Sequence, residues 1–203
     1  MSRHSQASRD VDPIPLSHRA MEDLRFIRRT MENGQAFTAV PGWGGVGMGL
    51  TALAAAAIAA GRATPEGWLG VWAAEAVVAA GIGAWAIERK ARRVGLPVLS
   101  GTGRKVLLGF TPPALAGIVF TVALWQADTI RLISGAWLLL YGVAVVAGGT
   151  FSVRVVPLMG VCFMVLGTLG LLVVPDAGNT LMAVGFGGLH VVFGAIIARG
   201  HGG

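Results

Sequence analysis

Residues Ile27 to Gly49 read IRRTMENGQAFTAVPGWGGVGMG and contain the point at which a basic, polar segment gives way to an apolar, glycine-rich one. Upstream of this junction the chain is mostly charged and polar, and downstream apolar runs recur to its end. These runs are about 20 residues long, enough for a helix to cross a hydrocarbon core of roughly 30 Å. The junction therefore marks the place where the chain enters a membrane.

Composition supports an integral membrane protein. Of the 203 residues, 54% are apolar, only 13% are charged and 31 are glycine, whereas an ordinary soluble domain has roughly a quarter of its residues charged. The formal net charge of +6 does not indicate a nucleic-acid partner, because the basic residues are confined to the segments between apolar runs. The lipid bilayer is the predicted partner. The single Cys162 excludes an intramolecular disulfide.

Two segments precede the membrane domain. Residues 1–16 lack apolar periodicity, which predicts a disordered cytoplasmic arm. Residues 17–34 have apolar side chains at three- and four-residue spacing on one face and arginines on the other, Arg25, Arg28 and Arg29. This pattern predicts an amphipathic helix. It either lies in the headgroup layer, with the arginines at the membrane surface, or packs against the base of the membrane domain.

The membrane domain is predicted at 40–198, with a cytoplasmic tail at 199–203. Its six transmembrane helices are predicted at about 40–60, 68–87, 106–127, 132–150, 156–175 and 180–198. Alternate sides of this arrangement carry fourteen and two basic residues. Basic residues concentrate in cytoplasmic loops, so we predict a multi-pass membrane protein with both termini in the cytoplasm. Arginine outnumbers lysine fourteen to two, which indicates a GC-rich bacterial genome and therefore the bacterial inner membrane.

The six helices show a possible threefold pattern. Helices 1, 3 and 5 open with proline and a following glycine, and helices 2, 4 and 6 each place one polar residue among apolar ones. The prolines are Pro41, Pro113 and Pro157, and the polar residues are Glu75, Tyr141 and His190. The chain is either three copies of a helical hairpin or a six-helix protein in which a composition rich in Gly, Ala and Val produces the coincidence.

Two stretches resemble known families. The last hairpin, LMGVCFMVLGTLGLLVVPDAGNTLMAVGFGGLHVVFGAIIARG, resembles the unit repeated three times in small bacterial membrane proteins of the HdeD type. The stretch IRRTMENGQAFTAVPGWGG resembles that of an uncharacterised family of small bacterial polytopic membrane proteins. These resemblances imply a six-helix fold and a role in stress or acid tolerance, and they imply no catalytic residues.

Glycine-rich motifs in this chain predict helix packing and a turn. The stretch GWGGVG at residues 42–47 has the spacing of a dinucleotide fingerprint but lacks the strand that must precede it. We therefore interpret Gly45 and Gly49 as small residues that let a neighbouring helix approach. The stretch SGTGRK at residues 100–105 lacks the spacing of a phosphate-binding loop and is predicted to be a solvated turn.

Polar residues within the membrane are the candidate site. Glu75, Tyr141 and His190 lie at similar depth in helices that run in the same direction, so all three can meet. Polar groups there are costly and usually functional, which predicts a cluster that binds a proton, a cation or a small polar ligand. The alternative is a hydrogen bond from Glu75 to His190 or Tyr141 that only sets helix register.

Other chemistry is not indicated by the sequence. His190 is the only histidine within the predicted transmembrane helices, and no His-x-x-x-His, Cys-x-x-Cys or Gly-x-Ser-x-Gly motif occurs. We therefore predict no catalytic residue, no metal site and no cofactor, and we do not expect an enzyme.

Three functional hypotheses remain. The first is a non-enzymatic accessory or stress-related membrane protein that packs with itself, as a homo-oligomer, or with other membrane proteins. The second is a small transporter or channel for protons, cations or a small polar solute that uses Glu75, Tyr141 and His190. The third is a membrane sensor with a basic cytoplasmic arm.

Overall fold

A computed structural model describes Met21, residues 23–25, residues 41–94 and residues 101–201, and the chain divides into two units, residues 1–35 and 36–203. In the first unit Met21 and residues 23–25 are helical and exposed. The rest of the predicted amphipathic helix, with Arg28 and Arg29, lies outside the described residues, as does the predicted arm.

The described part of the second unit is helical, with short connections. Its elements are α1 (Gly42–Ala60), α2 (Pro65–Val94), α3 (Gly101–Gln126), α4 (Ile133–Gly149), α5 (Val155–Leu172), α6 (Gly178–Met182), a π-helical segment π1 (Ala183–Leu189) and α7 (His190–His201). The last three follow one another without a break and are called the sixth span. Six helical segments are long and apolar enough to cross a membrane, which confirms the predicted all-α class with six spans.

Helices α2 and α3 lie at the periphery of the helix bundle, because each packs mainly on one other helix. Helix α1 packs between α2 and the sixth span, the sixth span also contacts α4 and α5, and α3 packs mainly on α4. Helices α5 and α4 form the most extensive pair, whereas the sixth span packs chiefly on α1. Helix α5 and the sixth span, which form the third predicted hairpin, therefore contact other helices more than each other. The three hairpins have unlike surroundings.

The predicted C-terminal boundary of α2 and the predicted N-terminal boundary of α3 are wrong. Residues 88–94 and 101–105 are helical, not loop and turn. At the end of α2, Arg92 Nε donates to Glu88 Oε1 at 2.7 Å, and basic side chains in the last turn interact favourably with the helix dipole. These features extend the helix beyond its apolar part.

Helix α3 contains two prolines in its interior, Pro112 and Pro113, so Pro113 does not open this helix as predicted. Proline removes a backbone donor, which ordinarily costs a helix about 3 kcal/mol. A lipid environment offers the backbone no alternative partner, so the neighbouring residues remain helical across the proline pair.

Charge is distributed unequally between the two ends of the membrane domain. Contacts between Gly42 and Ala198 and between Lys105 and Phe151 bring together the helix ends that carry most basic residues, called here the basic end. The described side chains there include one acid, Glu88, and eight basic residues: Arg89, Lys90, Arg92, Arg93, Arg104, Lys105, Arg154 and Arg199. The opposite end has two basic residues and three acids: Arg62, Arg131, Glu66, Asp128 and Asp176.

Candidate functional site

Glu75 lies on the face of α2 that packs against α1, and its side chain is paired with Thr51. Thr51 Oγ1 is 2.8 Å from Glu75 Oε1. Thr51 is the tenth of the 19 residues of α1, so the pair lies near the middle of that span, about 13 Å along the axis from either end. Glu75 is 8% exposed. Among the described residues it forms no ion pair, so this acid is buried without a cation.

The hydroxyl of Thr51 has two further oxygens within reach. Its Oγ1 is 2.9 Å from the carbonyl oxygen of Met48 and 3.3 Å from that of Gly47. Such bonds to the preceding turn are common for threonine in helices, because the hydroxyl can reach a carbonyl three or four residues earlier. Glu75 therefore adds an interhelical partner to a hydroxyl that also has a partner in its own helix.

Helices α1 and α2 approach closely around this pair. A Cβ atom on Gly44 would lie 2.6 Å from the Cβ of Ala86, and one on Gly83 would lie 3.3 Å from the Sδ of Met48. Small residues thus bring the two backbones near enough for Thr51 and Glu75 to meet.

Tyr141 and His190 form a second polar pair, between α4 and the start of α7. Tyr141 Oη lies 2.7 Å from His190 Nε2, and His190 is 4% exposed. Aromatic rings surround the pair: Phe163 and Phe186 lie with centroids 4.8 and 4.9 Å from that of Tyr141, and Phe110 at 5.8 Å. This shell keeps water from the hydrogen bond and fixes both rings.

The other ring nitrogen of His190 is buried and has no hydrogen-bond partner in the described structure. His190 directly follows π1, where the wider turn alters the pairing of backbone carbonyls. A neutral imidazole carries its proton on one of the two ring nitrogens, so the tautomer of His190 sets the direction of the hydrogen bond between Nε2 and the Tyr141 hydroxyl.

The structure therefore brings two of the three predicted residues together. Tyr141 and His190 are bonded to each other, whereas Glu75 is bonded to Thr51 and shares no hydrogen bond with either of them. Sequence reasoning missed Thr51. The available signal was that a mid-membrane acid needs a polar partner on a neighbouring helix, and Thr51 is the one hydroxyl residue of α1.

Asn179 is a further polar residue that sequence reasoning missed. Its Oδ1 accepts hydrogen bonds from the indole nitrogens of Trp68 at 3.1 Å and Trp72 at 3.0 Å, and its Nδ2 donates to the carbonyl oxygen of Ala56 at 3.1 Å. These three bonds join the sixth span to α1 and α2 near the end opposite the basic end. Two tryptophans one turn apart were the available signal, because a buried indole N–H usually has an acceptor.

Gly45 and Gly49 lie at the contact between α1 and the sixth span. A Cβ atom on Gly45 would lie 3.2 Å from the Cα of Gly194, and one on Gly49 would lie 2.7 Å from the carbonyl oxygen of Gly187. At these distances any side chain larger than hydrogen would push the helices apart. Both glycines thus serve contacts within the chain.

The structure describes only part of the arginine cluster that was predicted at the membrane surface. Arg25 is exposed on the helical residues of the first unit, and Arg28 and Arg29 lie outside the described residues. Across the described ranges, no group of three or more His, Cys, Asp or Glu side chains converges as a metal site would require.

Comparison of the chain with protein-family models, with curated proteins and with solved structures found no match. The functional argument therefore depends on the two buried polar pairs and on the distribution of charge.

Proposed function

We propose that this is a non-enzymatic multi-pass protein of a bacterial cytoplasmic membrane, with its basic end in the cytoplasm. The support is the charge distribution among the described residues of the membrane domain: eight basic residues and one acid at one end, against two basic residues and three acids at the other. Lys and Arg near the ends of spans favour the cytoplasmic side. With this orientation α1 starts from the cytoplasm and α7 returns to it.

Within that membrane we propose ion-coupled transport, with Glu75 as the residue that carries the ion. The observation that supports this proposal is a carboxyl group at mid-membrane, 8% exposed, bonded to Thr51 and without an ion-pair partner in the described residues. An acid at this depth is costly to insert, and a purely structural hydrogen bond is available from neutral side chains at lower cost. A neutral side chain cannot gain and lose a cation in this way, so ion transport explains why an acid occupies this position.

The position of α2 suits this role. Among the described residues, α2 packs mainly on α1, and its first turns, at Trp68 and Trp72, also reach α4 and the sixth span. The hydrogen bond of Glu75 joins α2 to α1. A small displacement of α2 along α1 breaks the bond to Thr51 and exposes the carboxyl group without disturbing the tightly packed pair of α4 and α5.

Flux measurements on purified protein in lipid vesicles test the proposal. With an imposed pH gradient and an internal pH dye, the unaltered protein is expected to dissipate the gradient faster than protein-free vesicles. Glu75→Gln is expected to remove this difference, whereas Glu66→Gln, at an exposed acid of the same helix, is expected to leave it unchanged. Equal flux in the unaltered protein and Glu75→Gln, with equal insertion, would contradict the role of Glu75.

A second candidate is an accessory protein that assembles through α2, and a specific observation favours it. The exposed side of α2 is rich in small residues, Gly70, Ala73, Ala74, Ala76, Ala80, Gly81 and Ala84, and it also carries Val77, Val78 and Trp85. By contrast, α3 and α5 expose large ones, such as Leu115, Phe120 and Leu158. Small residues allow close helix packing in lipid, whereas large ones suit lipid contact.

Disulfide crosslinking separates this candidate from a monomeric transporter. In a cysteine-free background, Val77→Cys is expected to form a covalent dimer in membranes if α2 is the contact. Leu115→Cys on α3 is the matched control and is expected to stay monomeric. Crosslinking that is equal at both positions reports random collision, and it would contradict assembly through α2.

A further inference from the structure

We infer that the ion held at mid-membrane is a proton, shared between the carboxyl group of Glu75 and the hydroxyl of Thr51. This inference rests on the proposed function for its use in transport. The conclusion that a proton occupies the site follows from the number of hydrogen-bond donors in the Glu75–Thr51 pair and from the side chains around the pair.

A count of donors shows why the carboxyl group carries the proton. Thr51 has one hydroxyl hydrogen, yet its Oγ1 lies 2.8 Å from Glu75 Oε1 and 2.9 Å from the carbonyl oxygen of Met48. Both neighbours are acceptors when Glu75 is ionised, so one hydrogen must serve two oxygens. When Glu75 is protonated, its O–H donates to Thr51 Oγ1 and the hydroxyl donates to the Met48 carbonyl, so every hydrogen has one acceptor.

Among the described residues, the surroundings of the Glu75–Thr51 pair offer no compensating charge. Helix α1, which packs on α2 along this length, contains no titratable side chain, and Glu66 and Glu88 are the nearest charged residues on α2 itself. The titratable groups within the other spans are Tyr141, Cys162 and His190. Tyr141 and His190 are bonded to each other, and Cys162 lies on α5, which packs mainly on α4. An ionised Glu75 would therefore face only apolar and neutral polar atoms, which disfavours the carboxylate.

A metal cation fits this pair poorly. Hard cations need several oxygen ligands, six to eight for calcium, and the pair supplies one carboxylate and one hydroxyl. The carbonyls of Gly47 and Met48 lie in the interior of α1, where they accept the backbone bonds of that helix. Among the described residues, no group of three or more His, Cys, Asp or Glu side chains includes Glu75. A proton needs only the two oxygens that are present.

Infrared difference spectroscopy on the protein in vesicles measures this occupancy directly. At pH 7, subtracting the spectrum of Glu75→Gln from that of the unaltered protein is expected to reveal the carbonyl stretch of a protonated carboxyl group. The matched control is Glu88→Gln, at an exposed acid of the same helix, which is expected to reveal carboxylate bands only. Carboxylate bands for Glu75 as well, or a protonated band that disappears when sodium replaces potassium at constant pH, would overturn the inference.

Variants of Thr51 test the sharing of the proton. Thr51→Val removes the hydroxyl acceptor while keeping the shape, so the carbonyl stretch of Glu75 is expected to shift to higher frequency, and Thr51→Ser is expected to restore it. An unchanged band in Thr51→Val would remove Thr51 from the site. A protonated band without proton flux would leave the inference intact and refute the transport proposal, whereas flux with an ionised Glu75 would do the reverse.

Discussion

Replacing Asn179 with leucine is expected to destabilise the protein by about 2 kcal/mol. The change removes the acceptor of two indole N–H groups, at 3.1 Å from Trp68 and 3.0 Å from Trp72. Trp72 is 2% exposed, so water cannot replace the amide oxygen. Hydrogen bonds between transmembrane helices contribute about 0.6 kcal/mol on average, and an unpaired buried donor costs about 1–3 kcal/mol. Two bonds at that average give about 1 kcal/mol, and two unpaired donors at the lower bound of their cost give about 2 kcal/mol.

A double-mutant cycle isolates these hydrogen bonds from the packing of the new side chain. The cycle compares Asn179→Leu in the unaltered protein and in a background that carries both Trp68→Phe and Trp72→Phe. Unfolding by sodium dodecyl sulfate in mixed micelles, followed by far-ultraviolet circular dichroism, measures the free energy without relying on tryptophan fluorescence. In the phenylalanine background the donors are gone, so we expect Asn179→Leu to cost at least about 1 kcal/mol less.

The same loss in both backgrounds would show that Asn179 acts by packing or through its bond to Ala56, and not through the indole groups. A loss below about 0.5 kcal/mol in the unaltered protein would show that the two N–H groups find other partners, since a surviving hydrogen bond would keep most of its energy. Either result would refute the reasoning that the two indole groups tie α2 to the sixth span through Asn179.

Three further predictions concern packing, the second polar pair and orientation. Gly49→Ala is expected to cost about 1–3 kcal/mol, because its Cβ would lie 2.7 Å from a backbone oxygen. Gly70→Ala, with no atom within 4 Å, is expected to be neutral or stabilising in the same unfolding assay. Tyr141→Phe keeps the ring contacts but removes the hydroxyl, so we expect a loss of about 1–2 kcal/mol and a changed imidazole ¹⁵N spectrum; an unchanged spectrum would contradict the bond. In a cysteine-free background, a cysteine at Arg62 is expected to react with an impermeant maleimide in intact cells, and one at Arg154 only after permeabilisation. The reverse labelling would invert the proposed topology.

Most of the fold was predictable from the sequence because membrane insertion depends on local properties. Whether a segment spans a bilayer follows from its length and from the summed transfer energies of its residues, and both are visible in the chain. The six spans were predicted for this reason. The helix ends at 88–94 and 101–105 were not, because charged residues outside the hydrocarbon can extend a helix or form a loop, and hydrophobicity does not distinguish the two.

The candidate site was predictable only in part. Glu75 and His190 stood out because polar groups within the membrane are costly, and Tyr141 because it interrupts an apolar helix. Their partners depend on which helices are neighbours and how each is rotated about its axis. In lipid, no hydrophobic force selects one face of a helix, so small differences in the packing of glycine and alanine decide the arrangement.

The glycines of the junction at Ile27 to Gly49 illustrate this division. The sequence alone determined that the chain after residue 40 contains six segments long and apolar enough to cross a membrane, because charge and apolar length act segment by segment. Only the tertiary structure decided that Gly45 and Gly49 pack against the sixth span, and that Glu75 meets Thr51 while Tyr141 meets His190. Those pairings arise from close contacts between backbones far apart in the chain, and no single segment encodes them.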